Sequence, residues 1–298
     1  MTPIRALAGI IRLPFLLLTP ACVSVGVGSS LWTCPDCVSV FRIALVLLGA
    51  LCAHVSVNAF NEYYDFRSGL DAVTRRTPFS GGSGVLPANP EFAPMAWRTA
   101  LITFGITMLV GLYLLTVVGI GLLPIGLAGL AVIYFYTQWM SRRPLICLLA
   151  PGLGFGVLMV VGTHYAITGA YSWTALSASM VPSFLVSNLL LLNQFPDVEA
   201  DSTVGRRNLP IVIGKRASVQ VYGLFAGLAY LSVVIGVVAG VLPGTTLLSL
   251  GTIFLAMPIY LYSRRYTDDV ERLKPWLALN VMNSIGTPVL LAIGLAAG

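Results

Sequence analysis

ALVLLGALCAHVSVNAFNEYYDFRSGLD, residues Ala44–Asp71, begins as an apolar run and then places Glu62, Asp65, Arg67 and Asp71 within ten residues. An ionised side chain at bilayer depth costs roughly 3 kcal/mol or more, so charges following such a run need partners or a functional reason. The run itself has the length and polarity of a membrane span, which needs about 20 largely apolar residues. Reading outward from it decides the fold class.

The 298-residue chain is 57% hydrophobic and only 9% charged, with a mean hydropathy of +0.89. Soluble domains carry about 25% charged residues. The deficit extends along the whole chain, which excludes a soluble domain and predicts an all-α, polytopic membrane protein. Nine apolar segments are expected, centred on residues 12–31, 41–62, 96–117, 119–137, 145–167, 173–194, 219–240, 244–263 and 275–297. A short Gly/Pro-marked turn from Gly119 to Pro124 is all that divides the third from the fourth.

The net charge of +6 could point to nucleic acid, but the positions of the basic residues argue otherwise. With nine spans, 16 of the 17 Lys and Arg residues fall on one side, and only Arg42 lies opposite. The positive-inside rule places that side in the cytoplasm, with the N-terminus and the loops after segments 2, 4, 6 and 8, and the C-terminus outside. A bacterial-type inner membrane fits this pattern. Arg5 and Arg12 before an apolar run also resemble a signal peptide, with Cys22 as a lipoprotein-type site. Pro20 before that Cys and the continuation of the run to Leu31 favour a retained first helix. Cys34 and Cys37 form CPDC in the first outer loop, read as an ordinary loop with a local disulfide as the alternative.

Seven of the 11 acidic residues sit in two loops on the basic side: Glu62, Asp65, Asp71, Glu91, Asp197, Glu199 and Asp201. In the first loop Asn58, Asn61 and Asp65 are spaced three and four apart, so on a helix they share one face, while Asp71 lies beyond Gly69, where the chain can fold back. In NQFPDVEAD, residues Asn193–Asp201, the residues Asn193, Asp197 and Asp201 recur every four positions, as one helical stripe would. Oxygen ligands without His or Cys suit Mg²⁺, which keeps waters and bridges a few carboxylates to substrate phosphates. The two stripes therefore predict a Mg²⁺-diphosphate site, with nearby Arg and Lys covering the remaining phosphate charge. Both contain N-x-x-x-D followed by an Arg pair, which suggests two related four-helix halves, about 1–137 and 145–263, plus a ninth helix.

These motifs carry a resemblance. NEYYDFRSGLD resembles the first Asp-rich motif of the UbiA superfamily of intramembrane aromatic prenyltransferases, N-D-x-x-D-x-x-x-G-x-D, and NQFPDVEADSTVGRRNLPIVIG resembles the second. The resemblance implies nine helices around a central cavity open to the cytoplasmic side. It further implies Mg²⁺ and a polyprenyl diphosphate held by Asn61, Glu62, Asp65, Asp71, Asn193, Asp197 and Asp201. Asp65, Asp71, Asp197 and Asp201 are the expected catalytic residues. Glu62 stands where the family usually has Asp, and Pro196 where it often has Arg. That leaves the phosphate cation to Arg67, Arg142, Arg206 or Lys215, with Asn58 and Tyr134 as further substrate contacts.

GTHYAITG, Gly162–Gly169, resembles a stretch of the menaquinone branch, whose aromatic acceptor is 1,4-dihydroxy-2-naphthoate; His164 within it is read as a packing residue. Other acceptors remain open, namely 4-hydroxybenzoate, homogentisate, a chlorophyllide or a lipid alcohol. An ion transporter would place its acids at the bilayer midplane on broken helices, and a CDP-alcohol phosphotransferase would gather them in one block.

Overall fold

The computed structural model describes Met1–Gly298 and is helical, without strands. Eight helices are long and apolar enough to cross a membrane: α1 Leu13–Thr33, α2 Val40–Arg67, α3 Pro90–Val118, α5 Pro144–Thr168, α6 Trp173–Asn193, α7 Lys215–Val238, α8 Gly244–Arg265 and α9 Val270–Ala296. The ninth expected segment is α4, Ile120–Phe135, which is apolar but shorter. It is confined by Gly119 (φ +89°), a conformation that ends α3 sharply, and by the 3₁₀ turn at Met140–Arg142. A short amphipathic helix, Pro3–Ile10, buries Ala6 and Ile10 and leaves Ile4 exposed.

The most buried span is α6, which packs against α1, α5, α7 and α9. Small residues let backbones approach, the usual way in which helices associate in lipid, where no hydrophobic force separates protein from solvent. A Cβ at Gly26 of α1 would lie 2.7 Å from the Val160 carbonyl of α5, and one at Gly28 would lie 2.8 Å from the Ala292 carbonyl of α9. Gly152 and Gly156 of α5 press in the same way on Ser183 of α6. From just after Gly152, and through Gly156, α5 adopts a π-helix, Leu153–Val161, flanked by α-helix on both sides. Isolated π segments in α-helices occur often at functional sites.

Hydrogen bonds between helices hold the second half of the bundle. Asn188 of α6 donates to the Tyr222 carbonyl of α7 at 2.9 Å, and the Tyr222 hydroxyl donates to Asn280 of α9 at 3.1 Å. Tyr230 of α7 donates to Asn283 of α9 at 3.1 Å, and Thr252 of α8 bonds Thr287 of α9 at 2.7 Å. Arg42, the one basic residue at the other end, donates to the carbonyl of Ile167 and so satisfies the C-terminal end of α5. Its position is a helix-capping requirement. Cys34 and Cys37, at that same end, form a disulfide.

The glycine contacts generate a prediction. Gly156→Leu must displace Ser183 and overpack the α5–α6 seam, at about 1–3 kcal/mol. Gly111→Leu on α3, where nothing lies within 4 Å, has no such neighbour. Thermal unfolding of the detergent-solubilised protein should drop by several degrees for the first and stay near wild type for the second. Equal effects would show that the seam is not close-packed.

Candidate active site

The first motif is built at the end of α2. Asn58, Asn61 and Asp65 share its inner face, and Asn61 donates to Asp65 Oδ2 at 2.9 Å. The helix ends at Arg67, Gly69 takes φ +79°, and a short helix, Leu70–Val73, returns Asp71 to the same space. The second motif is not the continuous helical stripe expected from its spacing. Instead α6 stops at Asn193, Asp197 lies in a turn, and Asp201 stands on a separate short helix, Val198–Thr203. Pro196 is the physical reason: it has no N–H to continue the ladder and disfavours a helical Phe195. The Asp201 N–H still bonds the Asp197 carbonyl at 2.8 Å, so the two acids remain one turn apart.

Arg206 joins the motifs. Its guanidinium pairs with Asp65 of the first motif and with Asp201 Oδ1 of the second, the latter at 3.1 Å. Asn208 donates to the other Asp201 oxygen at 2.7 Å. Burial alone would lower the pKa of Arg206, but Asp65 and Asp201 hold it above its ordinary value, so the guanidinium stays charged.

The Gly-rich loop between α2 and α3 closes over the same place. The Gly81 N–H donates to Asp197 Oδ2 at 3.1 Å, and a Cβ on Gly82 (φ +71°) would lie 2.9 Å from Asp71 Oδ1. Only glycine takes that backbone conformation without cost and leaves room for the carboxylate.

Below these groups lies a cavity of about 260 Å³, reached by both motifs and walled deeper down by apolar side chains such as Val57, Val132, Phe155, Leu158 and Leu189. Asn58, Asn61, Asp65, Asp71, Asn193, Asp197, Asp201 and Arg206 line it. Three buried oxygens there have no hydrogen-bond partner: Asp71 Oδ2, Asp197 Oδ1 and Asn193 Oδ1. Burial, then the neighbouring Asp65 and Glu62, pushes Asp71 up to about 7; burial, then Asp201, does the same for Asp197. Asp201 is raised by burial against the opposing pull of Arg206. No three or more His, Cys, Asp and Glu side chains converge as a ready metal cage. A hard divalent cation that takes one or two carboxylates and completes its shell with water and phosphate suits these unpaired oxygens.

Other expected site residues are placed elsewhere. Glu62 is fully buried but outside the cavity lining: Arg12 donates to it at 3.1 Å, and the backbone N–H and hydroxyl of Ser83 both donate to it at 2.8 Å. Its longer arm, compared with Asp, spans from α2 to the Gly-rich loop. Tyr134 turns outward against Phe60 and Phe135, and Tyr136 lines the cavity in its place. Arg67 and Arg142 are exposed, and Lys215 opens α7 away from the cavity. Arg12, read from the sequence only as a topology marker, lines the cavity and donates to Asn61 Oδ1 at 2.8 Å. His54 lines it too; it lies four residues before Asn58 on the same helical face, a spacing from which it could have been found.

A 1,4-dihydroxy-2-naphthoate octaprenyltransferase of Bacillus subtilis (strain 168) is 29% identical, covering 81% of this chain and 76% of that protein. The enzyme of the same name from Haemophilus influenzae is 26% identical over 93% of this chain and 92% of its own. Among solved structures, the apo form of a UbiA homolog from Aeropyrum pernix K1 superposes with a TM-score of 0.70 at 16% identity, covering 95% of this chain and 97% of that one. A UbiA homolog from Archaeoglobus fulgidus bound to GPP and Mg²⁺ gives 0.60 at 15% identity, with 98% and 100% covered. Residues 17–284 match the UbiA prenyltransferase family, and the chain belongs to that family.

Proposed function

We propose that this protein transfers a polyprenyl group from a polyprenyl diphosphate to 1,4-dihydroxy-2-naphthoate, in menaquinone biosynthesis, with Mg²⁺ as cofactor. The observation that carries the reading is the meeting of two acidic motifs, from different helices, at the mouth of an apolar cavity with unpaired oxygens turned inward. The naphthoate acceptor is supported by the names of the two relatives above. The basic residues clustered at the motif end and the disulfide at the opposite end support a cytoplasmic site, since disulfides persist outside the reducing cytosol.

Asp71, Asp197 and Asn193 would hold the cation, which supplies charge neutralisation to the departing diphosphate. Arg206 and Arg12, both at the cavity wall, would cover the remaining phosphate charge. As the allylic C–O bond breaks and diphosphate leaves, the apolar walls keep water from the allylic carbon, so the electron-rich ring attacks it instead. The ring carboxylate of the naphthoate leaves as CO₂. Glu62, anchored to Arg12 and Ser83, is a support for the motif and not a ligand.

Purified protein given Mg²⁺, polyprenyl diphosphates and a panel of aromatic acceptors should release diphosphate and form prenylated dihydroxynaphthoate; product with no aromatic acceptor sinks the assignment. Asp65→Asn and Asp197→Asn should each lower kcat/KM about a hundredfold or more while the protein still inserts, a loss of the size seen when one charge-stabilising group is removed. Retained turnover would refute a shared site. Glu62→Gln should lower the unfolding temperature yet keep its rise on adding Mg²⁺; loss of that rise would return Glu62 to the ligand set.

The raised pKa values give a pH dependence. A carboxylate raised to about 7 in the fold favours the folded state below its unfolded value, and that contribution is lost as pH rises through 7. Mg²⁺ requires the ionised carboxylates, so its binding offsets that loss. The Mg²⁺-induced rise in unfolding temperature should therefore be larger at pH 8 than at pH 6. An equal rise at both would show that Asp71 and Asp197 do not hold the ion.

A further inference from the structure

The stripe that carries the first motif continues deeper than the motif. His54, Asn58, Asn61 and Asp65 follow one another at helical spacing on α2, and all four line the cavity. At 1.5 Å per residue, His54 lies about 16 Å below Asp65 along the axis. It is the one histidine lining the cavity; the lining includes the apolar Leu18, Ala53, Val57, Phe155 and Leu158, with Arg12 and Asn58 as polar members.

The ring is held from two sides. It meets Phe155 edge to face, with centroids 4.7 Å apart and planes at 77°, and Phe155 belongs to the π-helical stretch of α5. Its Nδ1 lies 2.8 Å from the hydroxyl of Thr19 on α1. Thr19 is fully buried, and His54 is the only hydrogen-bond partner of its hydroxyl. A buried O–H that donates to nothing is costly, so the Thr19 hydroxyl donates to Nδ1. A neutral imidazole that accepts at Nδ1 carries its proton on Nε2. That nitrogen has no protein partner and is not sealed from the cavity. The arrangement is a single fixed N–H donor set in an apolar wall.

A prenyl tail has no acceptor atom with which to meet that donor. The aromatic substrate has oxygens on its ring. We infer that His54 is a positioning and specificity residue for the aromatic acceptor, its Nε2–H donating to a ring oxygen while Phe155 and the apolar wall enclose the ring. This rests on the prenyltransferase reading given above. Thr19 acts through His54 by fixing which nitrogen bears the proton.

The test compares His54→Phe, which keeps an aromatic ring but removes the donor, with His54→Gln, which keeps a donor, and with Thr19→Val, all in the full-length protein. KM is measured separately for the acceptor and for the prenyl diphosphate. Binding of 1,4-dihydroxy-2-naphthoate without diphosphate is followed by its own fluorescence. His54→Phe should raise the acceptor KM and dissociation constant about tenfold and leave the prenyl diphosphate KM unchanged, His54→Gln should recover part of the loss, and Thr19→Val should fall between. An unchanged acceptor KM in His54→Phe, or an equal rise in both KM values, overturns the inference, the second outcome marking His54 as wall for the tail. If the wild type prenylates a different aromatic acceptor, the same split is read with that acceptor. If it binds and prenylates none, the prenyltransferase reading itself fails, and this inference with it.

Discussion

The structure depends on one electrostatic constraint: carboxylates at the edge of a low-dielectric bundle must be compensated. Arg206 does this for two of them at once, pairing with Asp65 from α2 and Asp201 from the segment after α6. Removing one partner of a buried ion pair is far more damaging than the pair is stabilising, because a bare charge is left behind. The geometry of the mouth follows from this. The two loops must meet there, the Gly-rich loop must offer its Gly81 N–H to Asp197, and Glu62 must find Arg12 and Ser83. The oxygens left over, on Asp71, Asp197 and Asn193, are those available to a cation and its phosphate ligands.

Much of this was legible in the chain. Hydropathy located the membrane segments because a span is a matter of length and polarity, and these are local properties. The polar spacing at Asn58, Asn61 and Asp65 was legible because α2 runs unbroken through it. The second motif read differently because Pro196 interrupts what the four-residue spacing implies. Even so, Asp197 and Asp201 reach the cavity, since a turn followed by a short helix keeps them about one turn apart.

What the sequence concealed is long-range. Arg12 and Arg206 belong to the same basic total that set the topology, and nothing local separates a cation that lines a cavity from one that faces water, such as Arg67 or Arg142. Tyr134 in the last turn of α4 and Tyr136 just past its end are two positions apart, and only packing against Phe60 turns the first away. Glu62 looked like a ligand because it stands among ligands. Its two partners lie 50 and 21 residues away, and no spacing rule finds them.

The pair between Arg206 and Asp65 joins residues separated by 141 positions. A chain made from its N-terminus inserts six membrane segments before residue 206 exists, and N-terminal parts fold first during synthesis. In that interval Asp65 has Asn61 for company but no cation from the second loop. The early half of the bundle must therefore keep its charged end in contact with water and its inner face unsealed. Arrival of the second loop then does two things: it brings Arg206 to Asp65 and Asp197 to the Gly81 N–H. Completion of the site thus waits for a late part of the chain, and a chain arrested before that loop would lack half of its cavity mouth.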